Sequence, residues 1–299
     1  MANSLFIVKV FVAALTSVMF ALLSQRAVAQ SSERAQMAPA SPWSIDYAQD
    51  SCALRRSFAA GSNQMFLELR QFGPSASFEV TVASSTFRPS SSVRTRFEPD
   101  DAFFVPHDGV LVSGGNLNAV RYTDDFRPTA SKMDSKSLSD WSDSEREARE
   151  HAITGLTIVG IAPEVVTLQT GPMDQPMAAM RTCIDDLLKQ WGVDPFVQRS
   201  LSREAKAVSQ MEWARRTQED LPTDVFRFGG TGRAHLRLIV APDGKTTACA
   251  AFRTSGVPGF GRYACDIALK YAHFDPALDA KGHPVASAFF TTVSYDARG

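Results

Sequence analysis

The chain has 299 residues, a formal net charge of −1, 21% charged residues and 44% hydrophobic ones. That balance excludes a strong electrostatic pull toward nucleic acid or anionic lipid. Hydrophobic residues are enough for packed cores. With residues 1–29 set aside, about 270 remain, long for one core and comfortable for two.

Those first residues have the three parts of a secretory signal. Lys9 is the one cation of a short start, an apolar run follows from Val10 to Leu23, and Ala27-Val28-Ala29 is a small-x-small site. Cleavage is expected between Ala29 and Gln30. The apolar run is roughly fourteen residues, short of the ~20 a spanning helix needs. Extending it would drag Lys9 into the bilayer at a cost of about 2.5 to 3.5 kcal/mol. The expectation is therefore a periplasmic or secreted protein with no membrane insertion after cleavage.

Residues 30–42 are expected to form a flexible leader, with structure starting at Trp43. From there to about Gly115 the signals are for strands. Leu67 and Leu69 alternate with Glu68 and Arg70, and Phe78, Val80 and Val82 alternate with Glu79 and Thr81. Between these runs Phe72-Gly73-Pro74-Ser75 reads as a turn, so the two should pair antiparallel. Asp108-Gly109 divides Ala102-Phe103-Phe104-Val105 from Val110-Leu111-Val112, which predicts a second hairpin. The Ser-, Asp- and Glu-rich stretch from Thr129 to Glu150 reads as an exposed loop or a solvated helix. Strand character returns over Ile153–Ile161 and Val165–Gln169. Met180, Ile184, Leu187, Leu188 and Trp191 then share one face of a helix that Gly192 should stop. Residues 43–192 thus read as a β-rich domain with one amphipathic helix, and residues 193–221 as a connection with some helix.

In the last part, 222–299, Ala234, Leu236, Leu238 and Val240 lie on one face of a strand. Ala241-Pro242-Asp243-Gly244 makes a turn, because proline presets one dihedral and glycine accepts the left-handed one. A second strand from about Thr246 to Arg253 carries Cys249, and Ser255-Gly256-Val257-Pro258 breaks it. A helix over roughly Phe260–Ala272 puts Ala264, Cys265, Ala268 and Leu269 on one stripe. A last strand has Val285, Phe289, Val293 and Tyr295 at period two. The predicted fold class is α+β, a β-rich N-terminal domain followed by a small β-β-α-β domain.

In this order and spacing, Leu236 to Gly244, Ser255-Gly256, Phe274-Asp275-Pro276-Ala277 and the run from Gly282 through the last strand resemble the C-terminal domain of the TonB energy-transducer family. The whole chain is similar to exported proteins that carry such a tail. The resemblance covers about 75 residues and implies a periplasmic domain that pairs its sheet edge with an extended segment of an outer-membrane protein. Carried over, the pairing edge is the last strand, with Ser287, Phe289, Thr291 and Val293 as its binding residues. A transducer keeps an N-terminal anchor and a Pro-rich spacer. Here the first segment reads as cleavable and the 16 prolines are scattered, so binding by a soluble protein is expected ahead of energy transduction.

Four cysteines, Cys52, Cys183, Cys249 and Cys265, allow three pairings. The layout of the chain favours Cys249–Cys265 inside one unit and Cys52–Cys183 bracketing the other. A competing metal site would join His273 and His283 to Cys249 and Cys265, but no C-x-x-C or H-x-x-x-H spacing is present and an exported chain favours disulfides. No nucleophile elbow occurs. Gly244-Lys245-Thr246 lacks the upstream glycine of a phosphate loop, since position 239 is isoleucine. His273 beside Asp275 is explained by cation placement at a helix C-terminus, and Asp46, Asp50 and Glu68 by a solvated sheet face. The sequence predicts neither catalytic residues nor a cofactor. An envelope hydrolase, built from residues that spacing cannot connect, remains the rival reading.

Overall fold

The computed structural model of the chain describes residues 34–88, 90–100, 103–133, 141–208, 210–219 and 231–296. The expected signal with its cleavage site therefore lies outside the described residues. In chain order come β1 (Arg34–Pro39), β2 (Ser44–Tyr47), β3 (Cys52–Ala60), β4 (Asn63–Gln71), β5 (Ser77–Ser84), β6 (Ser92–Glu98), β7 (Val105–Asp108), β8 (Val110–Gly114) and β9 (Leu117–Asp125). Then follow α1 (Thr129–Met133), α2 (Asp143–Ala152), β10 (Gly155–Val159), β11 (Val165–Leu168) and α3 (Asp174–Gln190).

These strands form one sheet in the order β7-β6-β10-β11-β1-β3-β4-β5-β9-β8, with β2 laid against β3. The two ends of that order, β7 and β8, are consecutive in the chain across Gly109, so the sheet curls into a nearly closed barrel. Strand outweighs helix, 47% against 24%. This corrects the expected α+β plan of a β-rich N-terminal domain with a small β-β-α-β domain after it. A large barrel-like sheet dominates the molecule, and it depends on pairings far apart in sequence. β1 runs parallel to β11 through Arg34–Met37 and antiparallel to β3 through Ala38 and Pro39, and β10 lies between β6 and β11. Local periodicity carries no signal for such partners.

The expected leader is corrected in the same way, because Arg34–Pro39 is a strand in the middle of the sheet. Of its described side chains only Met37 is buried. A strand with one wet face needs little apolar sequence, which hid it. The expected hairpin across Asp108-Gly109 does not form either. β7 pairs with β6 and β8 with β9, and Gly109 carries the chain from one sheet end to the other, its N–H donating to the Ser91 carbonyl at 2.6 Å. A side chain there would strike Val120.

Elsewhere the periodicities translate directly. β4 and β5 pair antiparallel, with Met65, Leu67, Leu69, Phe78, Val80 and Val82 inside. α3 buries Met177, Met180, Ile184, Leu187 and Leu188, and Gly192 follows it with φ of 76°. α2 starts at a capping box in which the Ser142 hydroxyl accepts from the Glu145 N–H and the Glu145 carboxylate accepts from the Ser142 N–H. Its last turn puts Glu150 entirely out of solvent, which a reading of that stretch as loop or solvated helix did not anticipate.

The rest of the chain adds α4 (Pro195–Arg199), β12 (Lys206–Ala207), α5 (Gln210–Glu219), β13 (Thr231–Val240), β14 (Thr246–Gly256), α6 (Phe260–Tyr271), β15 (Phe274–Asp275), β16 (Ala277–Leu278), β17 (Pro284–Val285) and β18 (Ser287–Asp296). A three-stranded sheet in the order β14-β13-β18 packs Ala234, Leu236, Leu238 and Val240 against Phe260, Ala264 and Ala268 of α6. Gly244, with φ of 81°, closes the turn after β13 and sits so near the Phe274 carbonyl that no side chain fits. Residues 193–221 do more than connect: β12 pairs with β15, and Trp213 of α5 joins the core under α6.

The opposite face of this sheet rests on the barrel. Ile239 and Ala288 belong to the barrel's own core cluster. Arg237 donates to Asp50 at 2.6 Å and lies 3.7 Å over the Trp191 ring. Phe72 and Phe252 stack at 4.5 Å, and Arg253 donates to Glu79 at 2.7 Å. Burial of both apolar and ionic groups along this contact fixes the two sheets to each other.

Both disulfides expected from the layout form. Cys52 at the head of β3 joins Cys183 on α3, and Cys249 on β14 joins Cys265 on α6. Among the described residues, no helix is long and apolar enough to cross a membrane.

Candidate functional site: the outer edge of β18

Among the described residues, β18 is one edge of its sheet and pairs with β13 alone. Its other side is met by two glutamine side chains. The Gln198 carboxamide both accepts from the Ala288 N–H at 2.8 Å and donates to the Ala288 carbonyl at 3.4 Å. The Gln218 amide donates to the Ser294 carbonyl at 2.9 Å. A carboxamide is chemically a peptide group, so Gln198 holds Ala288 as an incoming strand would.

These bonds fix the parity of the strand. Backbone groups of residues 288, 290, 292 and 294 face outward, and those of 287, 289, 291 and 293 face β13, since successive peptide groups alternate. Among the described residues, no partner engages the outward groups of Phe290 and Thr292, between the two glutamines. The residues carried over from the resemblance, Ser287, Phe289, Thr291 and Val293, therefore have the opposite parity. Their backbone is committed to the ladder. Ser287 is buried, Phe289 packs on Phe274 at 4.9 Å, and Val293 packs against the core under α6. Sequence could find the strand but not its phase, because the phase is set by which neighbour β13 pairs with. The signal it missed was the pair of glutamines, which lie 90 and 76 residues from their partners.

On the other face, the Thr292 hydroxyl meets His235 Nδ1 at 3.0 Å. Burial, then the charges of Arg253 and Arg233, hold the His235 imidazole below its ordinary range, which favours the neutral ring. Phe290 packs near Trp191 and Phe252 and over Gly73, where a side chain would collide with its ring.

Each histidine's partners can be compared with what a hydrolytic relay needs. His107 comes nearest. Its Nε2 lies 2.8 Å from the Thr95 hydroxyl and 3.4 Å from Asp124 Oδ2, and Thr95 itself donates to that carboxylate at 3.2 Å. One ring nitrogen faces both groups, whereas a relay needs the carboxylate on one nitrogen and the hydroxyl on the other. The cluster is buried, with Lys132 Nζ 2.5 Å from Asp124 Oδ1. It joins β6, β7, β9 and α1 where the sheet fails to close by backbone bonds, so it reads as a latch. His151 pairs with Asp174 on an open surface, and His283 with Asp279 in a turn. The His273 backbone forms an isolated antiparallel β-bridge with Lys245, and Asp275 lies in the β12–β15 ladder. Cys249 and Cys265, bonded to each other, are unavailable as thiolates to His273 and His283. Asp46 and Glu68 meet Arg55 on the outer face of the barrel, and Asp50 meets Arg237.

Burial pulls the Asp124 carboxyl upward, but the His107 hydrogen bond and the Lys132 charge outweigh it and hold the group below its ordinary range. A carboxylate with a depressed folded pKa adds stability above its unfolded value and loses it as pH falls through the folded one. Asp124→Asn is therefore expected to lose about 3 kcal/mol at pH 7, the order of a broken buried pair. The deficit should narrow below about pH 4, the ordinary aspartate range, as the wild-type carboxylate protonates. Urea denaturation at pH 7 and pH 3 measures it. An equal deficit at both would remove the charge from the latch.

No protein family, no curated protein and no solved structure matches this chain.

Proposed function

We propose that the protein works without catalysis in an oxidising compartment outside the cytoplasm, the periplasm, and binds an extended segment of an envelope protein by strand addition to β18. The observation that carries this reading is the Gln198 carboxamide seated on the outward N–H and carbonyl of Ala288, beside two residues, Phe290 and Thr292, whose outward groups have no partner among the described residues. A bound segment would pair with Phe290 and Thr292 and compete with Gln198 and Gln218 for the flanking groups. Backbone hydrogen bonds supply affinity in this mode and neighbouring side chains supply selectivity. The resemblance of the last part of the chain to the TonB family favours the same strand. The signal-like first segment and the two disulfides fit the compartment.

Proline at an outward position removes one pairing N–H and leaves the β13 ladder intact. Envelope proteins cross-linked to the wild-type chain should also be captured by Thr292→Val, which loses the hydroxyl but keeps the N–H, and lost by Thr292→Pro. The captured partner should slow amide exchange at Phe290 and Thr292. Unchanged exchange at both residues in the complex would rule out β18 as the docking edge.

A further inference from the structure

α2, α3, α4 and the turn around Gln71–Ala76 wall a cleft of about 490 Å³, a size that suits a small ligand. Its apolar lining is the partly exposed Trp141 with the largely buried Phe126, Met177 and Ile184 beneath it, and three arginines, Arg146, Arg181 and Arg199, also line it. Each guanidinium is anchored at one nitrogen. Arg181 Nη1 donates to both oxygens of Glu150, at 2.8 and 3.0 Å. Arg146 is held by Asp143 and Arg199 by Asp185. Among the described residues no other hydrogen bond engages these three side chains, which leaves N–H donors on each without a partner there. None of the histidines lines the cleft.

The anchoring carboxylates differ in how firmly they hold. The Glu150 side chain is 1% exposed and locks Arg181 from behind, whereas the Asp143 side chain is 84% exposed and can yield Arg146 to a competitor. Arg146 and Glu150 are one turn apart on α2, which sets Arg146 beside the Glu150–Arg181 pair. Two like charges held near one another, with a buried carboxylate between them, form a fork for one more oxyanion. Four carboxylates, Asp143, Glu150, Asp185 and Glu204, and three guanidiniums line the cleft. Long-range attraction therefore contributes little, and recognition rests on the N–H donors and the apolar wall.

We propose that this cleft binds a small amphiphile whose oxyanion head, carboxylate or phosphate, sits on Arg146 and Arg181 while its apolar body lies along Trp141, Met177 and Ile184. The site is separate from strand pairing on β18, although Gln198 borders both.

Calorimetric titration of the full chain with octanoate and with octyl phosphate tests it, with inorganic phosphate and octanol as half-ligands. Saturable binding of at least one amphiphile is expected, and the tighter of the two identifies the head group. Each half-ligand should bind at least about tenfold more weakly, as should the amphiphile to Arg146→Gln, the scale of one charged hydrogen bond. Arg199→Gln, which lies outside the proposed fork, should change affinity less than Arg146→Gln. Arg181 is avoided because Glu150 depends on it. Octanol binding as tightly as octanoate, Arg146→Gln binding like wild type with unaltered thermal unfolding, or no saturation at 10 mM of either amphiphile would each overturn the proposal.

Discussion

Replacing Cys52 and Cys183 together by serine is expected to destabilise the protein by about 5 kcal/mol, and by more than the same change at Cys249 and Cys265. The first bridge closes a separation of 131 residues and the second only 16. Cross-linking removes loop entropy from the unfolded chain, worth about 3 kcal/mol for the short loop and nearly 5 for the long one. Position adds to length. Cys52 and Cys183 are fully buried in the barrel's core cluster, where the bridge clamps α3 to β3, and two serine hydroxyls there would need partners they lack. At roughly 2 to 4 °C per kcal/mol for a chain of this size, the melting temperature should fall by about 10 to 20 °C. Thermal and urea unfolding of both double variants decide the matter. If Cys249→Ser with Cys265→Ser proves the more damaging, loop closure is not what the long bridge contributes.

Arg181→Ala is the second large effect, expected to cost about 3 to 5 kcal/mol at neutral pH. Glu150 has no exposure and Arg181 as its hydrogen-bonding partner, so truncation leaves a buried carboxylate unpaired. Burial already pushes the Glu150 carboxyl above its ordinary range, with Arg181 and Arg146 offsetting part of that rise. The sign is therefore opposite to that of Asp124. A carboxyl with a raised folded pKa favours the fold fully below its unfolded value, and that contribution is lost as pH rises through the folded one. The deficit of Arg181→Ala should shrink as pH falls below about 4, the ordinary glutamate range, and grow as pH rises through the raised folded value. Glu150→Leu with Arg181→Met should recover most of the loss, since an apolar pair of similar volume carries no desolvation penalty. A deficit independent of pH would mean that Arg181 acts through packing of its stem and not through its charge.

Much of the local structure was legible. Alternation over Leu67–Arg70 and Phe78–Val82 marked β4 and β5, because one face of each meets the core and the other meets water. The stripe Met180, Ile184, Leu187, Leu188 marked α3 for the same reason at helical period. Asp243-Gly244 marked a turn because only glycine tolerates its left-handed φ beside the Phe274 carbonyl. For the candidate edge, sequence named the last strand with Ser287, Phe289, Thr291 and Val293 on it, and only the ladder with β13 shows which way the backbone of these four faces. The arginines around the cleft gave no sign at all, since solvated arginine on a polar helix is the ordinary case.

What the sequence determined by itself was therefore the set of elements whose stabilising partner is near in the chain, together with the cysteine pairs that their layout favours. Tertiary structure alone decided the joining of β11 to β3 through Arg34–Pro39, the burial of Glu150 against Arg181, the latch at Asp124 and the pairing of Gln198 with Ala288. Each joins groups too far apart in the chain for periodicity to register, 90 residues in the last case. A periodic pattern reports only whether a face is wet or dry, and the identity of the partner follows from which faces meet once the whole chain is packed.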